Sequence, residues 1–82
     1  MKQKYEWQGT NIIINNTLTR VELTVDGKTQ DFYDGVILPV KGLELKAKSE
    51  DGHDVKATIN WGLLTPRLKI FYDNKEIMRK GV

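Results

Sequence analysis

His53 is the chain's one histidine, and it stands directly after Gly52 with Asp51 and Asp54 on either side. An imidazole beside a carboxylate is the pairing used in general-base catalysis, where the carboxylate orients the ring. The same residues could contribute to a metal site. Either chemistry needs partners: a second histidine or cysteine for a metal, or an identifiable nucleophile for catalysis. The sequence has no cysteine and no further histidine. Asp51 and Asp54 are also the residue types that turns and strand ends favour. No catalytic residue, metal ligand or cofactor is assigned, and the chain is expected not to be an enzyme.

The other carboxylates lead to the same expectation. Asp26, Asp31, Asp34, Glu50 and Asp73 fall mostly in turns. Glu22 and Asp31 could be brought together by a hairpin, as paired carboxylates are in glycosidases. A small meander leaves little room for a substrate cleft, however. No loop has calcium-binding spacing, and no glycine-rich phosphate cradle is present.

Binding chemistry is better represented. Lys46, Lys48, Lys56 and Lys69 alternate with apolar residues, as does Phe71. They should share one face of a sheet, where basic and aromatic side chains together can hold single-stranded nucleic acid. Lysines on a sheet also keep edges from pairing, and Glu44 and Asp54 among them dilute the field. Trp7, Trp61, Tyr33 and Tyr72 could stack on a sugar, although large aromatics in so small a domain more often fill the core. Asn15-Asn16-Thr17 has the glycosylation pattern and reads here as a turn.

These side chains must be positioned by strands. Arg20-Val21-Glu22-Leu23-Thr24-Val25-Asp26-Gly27-Lys28 recurs as Arg67-Leu68-Lys69-Ile70-Phe71-Tyr72-Asp73-Asn74-Lys75. The period-2 alternation is that of a strand, and Asp followed by Gly or Asn makes a tight hairpin turn. Earlier strands are expected at Tyr5 to Gln8, with a turn at Gly9-Thr10, and at Asn11 to Asn15, with a turn at Asn15-Asn16-Thr17. After the Asp26-Gly27 turn a strand returns from Lys28 to about Tyr33. A plain register there sets Val25 opposite Lys28, Val21 opposite Phe32 and Glu22 opposite Asp31. A bulged register is the alternative.

The middle hairpin is fixed by two independent signals. Leu43, Leu45 and Ala47 share a face with Val55, Ala57, Ile59 and Trp61 only if the loop is the three residues Glu50-Asp51-Gly52, because a one-residue slip reverses every side chain. Such loops place a glycine in the left-handed conformation at their third position, where Gly52 stands. In the last hairpin, Ile70 should face Ile77 across Asp73-Asn74. Gly62 to Pro66 reads as a loop and Pro39 as a strand edge or bend. No window supports a long helix.

At 82 residues with 39% hydrophobic content, residues 1–82 are expected to be one domain whose core is only just sufficient. The net charge of +2 is too small to indicate nucleic acid or an anionic membrane as the natural partner. The charged start and the short apolar runs predict no signal peptide and no membrane insertion. A cytoplasmic location follows, or alternatively an excised domain of an exported protein.

Tyr5-Glu6-Trp7-Gln8-Gly9, Ile12-Ile13-Ile14-Asn15-Asn16, Val25-Asp26-Gly27-Lys28 and Lys69-Ile70-Phe71-Tyr72-Asp73-Asn74-Lys75 together resemble a group of small, uncharacterised bacterial all-β domains. The resemblance covers most of the chain. It implies a fold and a bacterial origin, and carries no catalytic residue.

The expected architecture is all-β: a compact antiparallel sandwich or partly open barrel of seven to eight short strands, built from successive hairpins. Its core should contain Ile12 or Ile14, Val21, Leu23, Leu43, Leu45, Val55, Ile59, Trp61, Leu68 and Ile70. The expected function is a non-catalytic binding or interaction module, with a protein partner or a second copy as ligand. Nucleic-acid binding through Lys46, Lys48, Lys56, Lys69 and Phe71 is the first alternative. Carbohydrate binding through Trp7 and neighbouring aromatics is the second.

Overall fold

Alternating apolar residues and turn pairs organise the chain into eight strands, seen in a computed structural model that describes residues 2–35, 42–61 and 66–77. The side chains of Trp61 and Pro66 lie outside that description, as do Pro39 and the loop before Pro66. The first sheet has the order β1 (Lys2–Trp7), β2 (Thr10–Asn16), β3 (Arg20–Val25), β4 (Lys28–Asp34). The second has the order β5 (Leu43–Lys48), β6 (Asp54–Trp61), β7 (Pro66–Tyr72), β8 (Lys75–Ile77). Both are antiparallel meanders, and their inner faces share one apolar core. The fold is a β-sandwich of two four-stranded sheets.

Ile12, Ile14, Leu23 and Val25 from the first sheet, with Val55 and Ile70 from the second, are the largest fully buried side chains. Each contributes about 1.5–3 kcal/mol by leaving water. Leu45, Val21, Ile59 and Ala57 complete the strand-centre layer, while Leu43 and Leu68 pack at its margin. Tyr5, Tyr72 and Ile77 are also buried. Trp61, expected in this core, has its side chain outside the described residues.

Three of the hairpins turn on two residues with positive φ: Gln8 (50°) and Gly9 (80°), Asp26 (50°) and Gly27 (84°), Asp73 (49°) and Asn74 (67°). Two left-handed residues give the turn a twist that matches the strands it joins. The first turn is therefore Gln8-Gly9 and not Gly9-Thr10, and Thr10 instead opens β2 opposite Trp7. The strand β2 also runs on through Asn16, so the turn lies at Thr17 to Thr19, where the Thr17 amide bonds the Arg20 carbonyl at 2.8 Å.

The middle hairpin has the expected register, with Ala47 opposite Val55, Leu45 opposite Ala57 and Leu43 opposite Ile59. Ser49 bonds the His53 carbonyl at 2.9 Å, which leaves Glu50-Asp51-Gly52 as the loop, with Gly52 at φ 87°. Ile70 faces Ile77 as expected.

The β3–β4 pair takes the bulged register. Leu23 faces Asp31 and Thr24 faces Thr29, so Gln30 is the extra residue. Val21 is then opposite Tyr33 rather than Phe32, and Glu22 is opposite Phe32 rather than Asp31. The bulge frees Gln30 from the ladder, and a bulge re-aims the side chain it carries. The Gln30 amide reaches the edge of β5, donating to the Lys48 carbonyl at 2.7 Å and accepting from the Lys48 amide at 2.9 Å. Asp31 accepts from the Lys46 amide at 2.9 Å, and Asp26 from the Glu50 amide at 3.1 Å. Among the described residues no backbone ladder joins β4 to β5. Side chains close that edge instead.

The repeated Arg-to-Asp segment has a structural counterpart. Asp26 donates its amide to the Asn11 carbonyl at 2.8 Å and accepts the Asn11 amide on Oδ1 at 3.0 Å. Asp73 does the same with Asp54, at 2.8 Å and 3.0 Å. In each sheet the turn aspartate locks a hairpin to the start of the neighbouring strand. Its Oδ2 is left for one further partner.

Candidate functional site

For Asp73 that further partner is His53. Nδ1 lies 2.7 Å from Asp73 Oδ2, and the ring packs on Tyr72 with centroids 5.1 Å apart. The orienting carboxylate comes from another hairpin, and not from either sequence neighbour of the histidine. The Asp54 amide holds the Asp73 carboxyl below its ordinary pKa; desolvation opposes it, and the hydrogen bond and charge of His53 add lesser pulls downward. The pair sits half exposed at the loop end of the second sheet. Ser49 is buried nearby, but its hydroxyl accepts the His53 amide at 3.0 Å. Because Asp26 makes the same bonds with no histidine present, a structural role accounts for Asp73 without any chemistry. Among the described residues, no cluster of three or more His, Asp or Glu could hold a metal.

The Glu22–Asp31 pairing does not occur, because the bulge shifts Asp31 by one place. Glu22 lies 3.1 Å from Arg20 Nε, while Asp31 accepts backbone amides.

The lysine face forms on the outer surface of the second sheet. Lys46, Lys56, Phe71 and Glu76 stand in one cross-strand row, and Lys69 is beside them opposite Thr58. The Lys56 ammonium lies 4.9 Å from the Phe71 ring centroid. Carboxylates interrupt the positive field. Glu44 pairs with Lys46 at 3.5 Å and with Lys56 at 3.8 Å, and Asp54 pairs with Lys48 at 3.5 Å. An open depression of about 290 Å³ on this face is lined by residues of both charges, among them Glu44, Lys46, Asp54 and Lys56.

Trp7 is elsewhere. It has the parity of Tyr5, which is buried, and it packs against the core from the inner side of the first sheet. Phe71 and the lysines thus share a face, and Trp7 does not belong to it. The parity was readable in Lys2-Gln3-Lys4-Tyr5-Glu6-Trp7, where every second residue is charged.

Two features escaped the sequence reading. On the outer face of the first sheet, the Arg20 guanidinium lies 3.9 Å from the Phe32 ring centroid, and Phe32 remains 50% exposed. Arg20 Nε meets Glu22 at 3.1 Å and Asp34 at 3.6 Å in ion-pair rather than hydrogen-bond geometry. The other feature is the edge of β1. Among the described residues, β1 pairs with β2 alone. Residues flanking a two-residue turn exchange both backbone bonds, so Trp7, Tyr5 and Gln3 bond across to Thr10, Ile12 and Ile14. Lys2, Lys4 and Glu6 then direct N–H and C=O groups away from the sheet. The Asn11 amide shows the same phase, since it turns from Glu6 toward Asp26.

No family model, curated protein or solved structure matches the chain. Among the described residues no helix is long and apolar enough to cross a membrane.

Proposed function

We propose that this chain is a non-catalytic interaction module that receives an extended partner strand on the edge of β1. The observation that carries this reading is the contrast between edges. The β5 edge is covered at Lys46, Lys48 and Glu50 by side chains of Asp31, Gln30 and Asp26. Among the described residues β8 offers an edge of three residues. The six-residue edge of β1 has no such cover among the described residues, and a row of unpaired backbone groups is a template for another strand.

Selection of peptides on the purified chain, followed by amide chemical-shift mapping, tests the reading. Selected peptides should shift Lys2, Lys4 and Glu6, and Lys4→Pro should abolish binding, because that amide faces outward and the β2 ladder survives its loss. Shifts confined to the outer face of the second sheet would overturn it.

The nucleic-acid alternative draws on the Lys46–Lys56–Phe71 row. It predicts a salt-dependent shift of that row by oligonucleotides. Both of its lysines already have a carboxylate partner in Glu44, which favours the edge reading. The carbohydrate alternative loses support from the inward parity of Trp7. The bacterial and cytoplasmic assignments remain proposals from sequence.

A further inference from the structure

We infer that the strand received by β1 is β1 of a second copy of this chain, antiparallel, with Lys4 of each copy opposite Glu6 of the other. This deepens the edge reading above and rests on it. Among the described residues the unpaired backbone groups of β1 belong to Lys2, Lys4 and Glu6, so a new ladder must join these residues to one another in pairs that exchange both hydrogen bonds. A twofold axis permits few such registers. Centring it on Lys4 puts Lys2 against Glu6 twice but leaves Lys4 facing Lys4. Centring it on Glu6 sets two carboxylates face to face. Centring it on Tyr5 alone gives two opposite-charge pairs and no like-charge pair. In that register Lys4 and Glu6 exchange four backbone bonds in all, two at each end of the axis.

The inner face agrees with this register. Tyr5 stands opposite Tyr5 of the second copy, an aromatic pair of the kind that strengthens cross-strand contact. Gln3 stands opposite Trp7 of the second copy, so the half-buried indole is covered by a polar side chain with an apolar stem. The two first sheets become one eight-stranded sheet. The interface is isologous, so it closes at two copies and does not propagate along this edge.

The charge pattern makes the test specific. Lys4→Glu and Glu6→Lys each turn both attractive pairs into repulsive ones, and each should weaken self-association at least about tenfold in sedimentation equilibrium. Mixed in equal amounts, the two variants regain opposite charges at both positions and should form a heterodimer. The double variant Lys4→Glu/Glu6→Lys should self-associate like the unaltered chain. These rescues separate a lost interface from a lost fold. Self-association unaffected by either single substitution, or not regained on mixing, would overturn the register. An unaltered chain that stays monomeric into the millimolar range, while selected peptides still shift Lys4 and Glu6, would overturn the second copy as occupant and leave the edge reading standing. Failure of those peptides to shift the β1 residues would remove the edge reading itself.

Discussion

Replacing Gln30 by alanine removes the double hydrogen bond that joins the bulge of β4 to Lys48 on β5, at 2.7 and 2.9 Å. Each bond between neutral groups is worth about 0.5–1.5 kcal/mol net of its replacement by water. Gln30 is exposed, so water can reach the Lys48 groups afterwards. The loss should therefore fall in the lower part of the summed range, about 1–2 kcal/mol. In a domain of this size 1 kcal/mol moves Tm by about 4–8 °C. Urea unfolding should show a lower midpoint with an unchanged slope, because the buried surface is the same. Amide exchange localises the effect. Lys48 faces β4 and should exchange faster, whereas Ala47 faces β6 and should keep its protection. Lys28→Ala is the control, an exposed change expected to stay within about 0.5 kcal/mol. If Gln30→Ala lay within that same margin and Lys48 kept its exchange rate, the side-chain closure of the sandwich would be refuted.

Leu23→Ala empties a fully buried site and should cost about 2–5 kcal/mol by chemical denaturation, enough to unfold much of a marginal domain. Asp73 has its folded pKa lowered, chiefly by the Asp54 amide and then by His53. Its contribution to stability is therefore complete above the unfolded carboxyl's 3.8, shrinks below that, and is lost once pH falls through the lower folded value. Acid titration of Asp73→Asn should accordingly show a shallower loss of stability over that interval than the unaltered chain. Gly42 has φ 90°, and a Cβ there would meet the Asn60 side chain and lie 3.0 Å from the Ile59 carbonyl, whereas Gly9 faces open space. Thermal unfolding should find Gly42→Ala worse than Gly9→Ala by about 1 kcal/mol or more, since both carry the backbone strain and only the first adds a clash.

What could be read from the sequence divides along a physical line. The register at Leu45–Ala57 and Ile70–Ile77 follows from side-chain parity and turn chemistry, both local, and both were legible. The bulge at Gln30 was visible only as an alternative, because what settles it is the Lys48 backbone, eighteen residues away. The His53–Asp73 pair was illegible for the same reason, since it depends on β6 and β7 lying side by side in the second sheet. The lysine row was legible as a shared face, because alternation places Lys46 and Lys56 on one side of their strands. Its neutralisation by Glu44 depended on side-chain reach and was read only as dilution of the field. Trp7 is a different case. The alternation that sends it inward is in the sequence, but the expectation gave more weight to its aromatic chemistry than to its parity. Which strand would be left at an edge could not be read at all, because strand order is a property of the whole sheet.

The account turns on the outward groups of β1, and amide exchange measured against protein concentration reaches them directly. At low concentration Gln3, Tyr5 and Trp7 should be protected by β2, while Lys4 and Glu6 exchange at nearly solvent rates. As concentration rises, Lys4 and Glu6 should become protected together, with no change at the other three. Fast exchange of Lys4 and Glu6 at every concentration would contradict pairing with a second copy. Equal protection of all five at the lowest concentration, with the chain monomeric, would mean that the β1 edge is covered within the chain itself.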